Sequence, residues 1–231
     1  MNPEPLPPQP WRRSGKPPRR QLSTDLIVDA ALELLQADGL DAVTMRKVAQ
    51  RLDTGPASLY AHVQNKADLH ELMLDRVLTA VHIPDPDPDQ WQEQLLQVGR
   101  RMTAVLAAHT GIARIAMETL IPTTPTMLEQ MDRLLAIMLA GGLSDADALA
   151  GSDILALFTA ASAYEQSLRS GDSAEREAAD RIDRITEYLS IVPAGRLPHL
   201  IALAPAMAES ADSYELGFQL IIDGLAARAK R

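Results

Sequence analysis

The chain has 231 residues, 22 Lys and Arg against 31 Asp and Glu, a formal net charge of −9 and no cysteine. That length gives one or two domains with a full core, and the lack of cysteine excludes a disulfide scaffold, a thiol nucleophile and any thiolate metal site. No run of about 18 apolar residues offers a membrane span and no apolar segment in MNPEPLPPQPW offers a secretory signal, so a cytoplasmic protein is expected.

Aromatic residues make up only 3% of the chain, and Ala and Leu are abundant, which predicts an all-α fold. Charge is unevenly spread. Residues 1–66 hold nine basic and seven acidic groups, whereas residues 67–231 hold 13 and 24. Only the first part is suited to meet a polyanion.

Residues 1–22 contain seven of the 16 prolines with Arg12, Arg13, Lys16, Arg19 and Arg20. Such a segment cannot bury a core and predicts a disordered basic arm, either lying along DNA or inert. Ser23 or Thr24 caps a first helix, whose apolar residues Leu26, Ile27, Ala30, Ala31, Leu34 and Leu35 recur at helical spacing. Gly39 is expected to end it in the left-handed α conformation. Thr44 caps a second helix with the stripe Met45, Val48, Ala49 and Leu52; Asp53-Thr54-Gly55 break it. Pro56 opens a third helix, predicted over 56–63 with Leu59 and Val63 inward. Asn65 caps a fourth, predicted to run toward His82, with Asp68 at its positive end.

Pro84-Asp85-Pro86-Asp87-Pro88-Asp89 then makes an extended, solvated acidic link. Amphipathic stretches follow through Leu95–Leu106 and Met127–Leu139, the second stopped by Gly141-Gly142. Long apolar helices are expected over 146–169 and 212–229. Residues 170–192 read as a loop followed by an exposed helix, and Pro193, Gly195 and Pro198 break the chain again.

Helix, three-residue break and short helix make the layout of a helix-turn-helix. The outward positions of the second helix are Ala57, Ser58, Tyr60, Ala61 and His62, and no acid occurs between Pro56 and Lys66. Small side chains let a backbone approach base edges, and Ser, Tyr and His donate to phosphates. Arg46 can present its guanidinium to guanine O6 and N7, and Lys66 suits a phosphate. A plain helical hairpin remains the bland reading.

Residues 23–70, with the Gly39 stop, Thr44-Met45-Arg46-Lys47-Val48-Ala49, Leu59-Tyr60-Ala61-His62-Val63 and Lys66, resemble the DNA-binding domain of TetR-family repressors. The spacing around Trp91 and the ending Leu216–Leu225 resemble the regulatory domain of the tetracycline repressor branch. The resemblance implies an N-terminal three-helix head, residues 23–70, on a larger ligand-binding and dimerisation body, residues 71–231. It implies a homodimer joined by a four-helix bundle of residues 146–169 and 212–229. Thr44, Arg46, Ser58, Tyr60, His62 and Lys66 match its DNA-contacting positions, and Pro56 and Ala57 fall where base contacts vary.

Tetracycline repressors hold a drug–magnesium chelate. His82 falls where the family has a ligand-contacting histidine. Val98 and Met102 stand for its Asn and Phe, and Ala116, near Thr119, for the magnesium-binding histidine. Loss of that imidazole implies an apolar effector without a metal or other cofactor, lined by adaptable side chains such as Met131, although a methionine at helical spacing also serves as plain core. The expected function is a repressor released from an inverted-repeat operator by a small molecule. The alternative is a helical protein-interaction adaptor. No phosphate loop, HExxH or Gly-x-Ser-x-Gly motif points to an enzyme.

Overall fold

The computed structural model describes residues 22–109, 111–119, 121–169, 172–193, 195–209 and 213–229. The expected basic arm lies outside them, apart from Leu22. The described residues are helical, without strands.

Three helices build the head. Helix α1 (Thr24–Asp38) starts where Ser23 Oγ accepts the Leu26 N–H at 3.3 Å. Gly39 ends it with φ 79° and ψ 174°. This differs from the expected left-handed α turn: φ is positive but the backbone is extended, a region reached almost only by glycine. A single 3-10 turn (Leu40–Ala42) leads to α2 (Met45–Arg51), capped by Thr44, whose Oγ1 accepts the Lys47 N–H at 3.2 Å. Asp53 turns the chain at φ 50°, and α3 follows.

Helix α3 is regular only over Pro56–Leu59, shorter than the expected 56–63. A four-residue helix has little stability of its own. Leu59 and Val63, both fully buried beside Val48 and Ala49, hold it in place. Each is worth about 1.5–3 kcal/mol of burial, which decides which face of α3 turns outward.

Helix α4 (Lys66–Leu78) is capped by Asn65 Oδ1 on the Asp68 N–H at 3.0 Å, while Asp68 Oδ2 accepts the Gln64 N–H at 2.7 Å. It ends four residues before His82, because Thr79 and Ala80 turn the chain instead of continuing the helix. Arg76 ties α4 to α1 through Asp25 and Asp29.

The link after α4 is extended as expected, but it is tied down. Gln94 Nε2 donates to Asp85 O at 2.8 Å, and Gln94 Oε1 accepts the Asp87 N–H at 3.0 Å. The Asp87 carboxylate accepts the Asp89 N–H and the Gln90 amide, so it caps a turn where a purely solvated chain was expected.

The body contains α5 (Trp91–Ala107), α6 (Ile112–Glu118), α7 (Pro125–Ala140), α8 (Asp145–Arg169), α9 (Asp172–Ile191), α10 (Pro198–Glu209) and α11 (Ser213–Ala226). Helices α6 and α10 were not anticipated. Pro198 opens a helix at its first turn, where a break was expected, and α9 begins already at Asp172. Helices α5, α6 and α7 pack around α8, and α11 packs against α5 and α8.

Close approach here depends on small residues. Gly99 of α5 faces Phe218 of α11, and Phe218 meets Phe158 and Tyr214 edge-on at 4.9 and 5.4 Å between ring centroids. A methyl group on Gly99 would lie 2.5 Å from a Phe218 ring carbon. Gly99→Ala is therefore expected to lower the unfolding free energy by about 1–3 kcal/mol, read from the urea midpoint. An unchanged midpoint would show that α11 yields freely.

Candidate nucleic-acid interface and effector region

The helix-turn-helix separates its residues cleanly by burial. Val43, Val48, Ala49, Leu59 and Val63 are shut in the head core. Arg46, Pro56, Ala57, Ser58, Tyr60, His62 and Lys66 are exposed, and Thr44 is half-buried because its hydroxyl caps α2. Tyr60 leaves 55% of its surface open, an unusual position for a ring that a core would accept. Arg46 and Lys66 form no ion pair among the described residues, whereas Arg51 is held by Glu33 at 2.7 Å. The face that remains has cations without an ion pair among the described residues, the hydroxyls of Ser58 and Tyr60, an imidazole and small side chains. Such a face can bind phosphates electrostatically and bring donors to base edges.

Lys47 shares this setting. It is exposed, follows Arg46, and its backbone N–H is the one capped by Thr44. Its position in the quoted motif was the only sequence signal for it.

The expected effector residues lie on α5, α6, α7 and the two loops beside them, and they differ in setting. Val98 is fully buried, Met102 and Ala116 are partly buried against the core, Met131 is 36% exposed, and His82 is exposed. Thr119 alone lines a described groove, of 420 Å³, between the start of α4 and the α6–α7 loop, with Asn65, Asp68, Glu71, Glu118 and Thr123. Those walls are mainly polar, with only Ala67 and Ile121 apolar, and do not match an apolar effector. Ala116 offers no donor at the position implied for magnesium, and His82 faces solvent, so these residues do not fit a metal chelate.

Head and body meet along α4. The Glu71 carboxylate accepts the Thr123 N–H and, at 2.9 Å, its hydroxyl. Asp75 Oδ2 accepts the Thr126 hydroxyl at 2.9 Å. Gln130 Nε2 donates to Leu78 O at 2.6 Å. No sequence pattern announces this seam, because its pairs are about 50 residues apart.

His70 sits on the same stretch of α4, half-buried, with Nε2 enclosed and without a hydrogen-bond partner among the described residues. Burial holds its pKa below the ordinary histidine value; Lys66 and Arg114 push the same way and Glu118 opposes them. The unfolded chain therefore takes the proton first as pH falls. The stability owed to neutral His70 is present above about pH 6.5 and is lost as pH drops toward the depressed folded value. The urea midpoint is expected to fall between pH 7.5 and 5.5, and to fall less in His70→Gln. Equal losses in the two proteins would refute this.

Residues 27–73 match the family model described as "Bacterial regulatory proteins, tetR family", and residues 83–229 match "Tetracyclin repressor-like, C-terminal domain". The chain is 28% identical over 221 residues to the HTH-type transcriptional repressor DrrR1 of Streptomyces coeruleorubidus, covering 93% of this chain and 81% of that one. It is 30% identical over 213 residues to the class A tetracycline repressor protein from Escherichia coli, covering 90% and 92%. Among solved structures, apo ActR from Streptomyces coelicolor superposes with a TM-score of 0.82 at 41% identity, covering 92% of this chain and 100% of that one. ActR in complex with actinorhodin gives 0.83 at 42% identity, covering 91% and 98%.

Proposed function

The chain belongs to the tetR family of bacterial regulatory proteins, and we propose that it is a ligand-responsive, sequence-specific repressor released from its operator by a small molecule. The observation that carries this reading is the outer face of α2 and α3. Its acid-free run from Pro56 to Lys66 leaves every polar side chain outside while Leu59 and Val63 are shut in. Residues 23–70 would read DNA, and residues 71–231 would bind the effector and the partner. The protein acts by binding, without catalysis, and works where the chromosome is, in the cytoplasm.

Arg46 would contact a base, with Thr44, Ser58, Tyr60, His62 and Lys66 on phosphates and Pro56 and Ala57 against base edges. Selection of random duplexes by the purified protein at about 100 mM salt should enrich an inverted repeat with half-sites about one helical turn apart or a multiple of it. Arg46→Ala is expected to cost about 1–3 kcal/mol and relax choice at one base, whereas Lys66→Ala should weaken all sequences and reduce the salt slope by about 1. Unchanged preference in the first, or an unchanged slope in the second, would remove that residue from the interface.

The effector would lie against α5, α6 and α7, near Val98, Met102, Ala116, Thr119 and Met131, with His82 at the margin. The ActR–actinorhodin complex supports a small-molecule site in a body of this kind. The apolar character proposed for the ligand here rests on Val98, Met102 and Met131.

The dimer would form through α8 and α11. Each buries one stripe in its own protomer: Ala148, Gly151, Leu155 and Ala163 in α8, and Phe218, Ile222 and Leu225 in α11. Each shows a second apolar stripe to solvent: Leu149, Ile154, Leu157 and Leu168, and Leu216 and Leu220. Apolar side chains on both sides of one helix call for a second packing partner. Leu157→Glu combined with Leu220→Glu is expected to give a folded monomer by light scattering, with operator affinity greatly reduced. A dimer that persists would place the interface elsewhere.

A further inference from the structure

The end of α4 has backbone carbonyls beyond the reach of its own helix, as all helix ends do. The turn Thr79-Ala80-Val81 answers several of them: Thr79 Oγ1 donates to Arg76 O at 2.6 Å, the Ala80 N–H to Val77 O at 3.3 Å and the Val81 N–H to Leu78 O at 2.9 Å. Side chains of the body add a second donor on Leu78 O and reach the carbonyls beyond the turn. Gln130 Nε2 donates to Leu78 O at 2.6 Å and lies 3.5 Å from Val81 O. Arg101 Nη1 donates to His82 O at 3.2 Å, and Arg133 Nη1 donates to Ile83 O at 3.3 Å. All these bonds end on backbone, so they fix the path of the chain whatever its side chains are.

Gln130 is the buried member of the set. Its amide orientation is settled by the carbonyl it meets, which leaves Oε1 enclosed and without a hydrogen-bond partner among the described residues. A buried acceptor left unpaired is a cost that an aliphatic side chain of similar size would not carry. Cohesion alone therefore does not account for an amide here, whereas a positional role does.

We propose that Gln130, Arg101 and Arg133 form a clamp on the carbonyls that follow α4, and that this clamp sets the angle of the head on the body and hence the separation of two heads in a dimer. The last step rests on the DNA-binding reading above. The donors come from α5 and α7, the helices that also carry Val98, Met102 and Met131. These two helices pack on each other. A molecule that spread them would stretch hydrogen bonds whose strength falls steeply with length and angle. The three residues are positioning residues: they act through the backbone carbonyls they hold.

The absence of cysteine makes the test clean, because introduced thiols are the only ones labelled. Nitroxides at Gln50→Cys on α2 and Gln92→Cys on α5, both exposed positions, report the head-to-body distance by pulsed electron paramagnetic resonance. Labelled chains are diluted into unlabelled excess so that the two labels of one chain dominate. In Gln130→Leu the distribution is expected to become roughly twice as wide, as one orientation gives way to several, with helix content by circular dichroism unchanged. An unchanged width in folded protein overturns the clamp. Should Gln130→Leu fail to fold, the exposed pair Arg101→Gln with Arg133→Gln decides by the same criterion.

A second readout uses the operator selected by the wild-type protein. One base pair inserted between half-sites should cost the wild type about tenfold in affinity and Gln130→Leu less than about threefold, since loosened heads tolerate a changed spacing. Equal penalties overturn the proposal. If the wild type selects no operator, the DNA-binding reading fails instead, and the label distances still decide the clamp.

Discussion

The placement of α4 is the constraint on which both halves of the molecule depend. Leu69, Met73, Leu74, Val77 and Leu78 are all buried, on a helix that packs against α1 on the head side and α5, α6 and α7 on the body side. A helix with apolar residues on more than one face cannot be shed by either neighbour without exposing them to water. The head core and the body core are accordingly one continuous cluster. The polar seam from Glu71 to Gln130 adds direction to this attachment. Hydrogen bonds require particular angles, whereas apolar contact tolerates sliding.

The long helices α8 and α11 solve a related problem by division of faces. Toward their own protomer they present small residues and rings that fit together, Gly151 against Leu225 and Gly99 of α5 against Phe218. Toward solvent they present Leu157, Leu216 and Leu220. The most apolar 18-residue window of α8 reaches a mean hydropathy of 1.2 with 44% of it buried. Two packing faces on one helix account for that composition.

The head was legible in the sequence because its signals are local. Ser23, Thr44 and Asn65 cap the helices whose N–H groups lie three residues on, and the interval from Leu59 to Val63 spans one turn. The end of α3 was less legible, because its regular part stops as soon as Leu59 is seated. Gly39 showed its positive φ through being glycine, but ψ is set by the 3-10 turn that follows. In the body, periodicity revealed α5, α7, α8 and α11, which are long and striped. It missed α6, whose seven residues span only two turns, and α10, whose Pro198 and Pro205 resemble breakers. The seam and the clamp were invisible. Thr123, Thr126, Gln130 and Arg133 look like surface polar residues until their partners near 71–83 are known.

The sorting of side chains in the head has a consequence for how such a protein can change over generations. Arg46, Ala57, Ser58, Tyr60 and His62 are exposed and stand apart from the buried core. Exchanges at such positions usually alter stability by less than about 0.5 kcal/mol. With these residues as the proposed DNA contacts, variants could explore new operator sequences without drawing on the fold's stability reserve, while Val48, Leu59 and Val63 stay committed to the core. On that proposal, recognition and architecture are coded by separate letters of the same short segment, and descendants of one scaffold would be free to diverge in what they read while keeping how they stand.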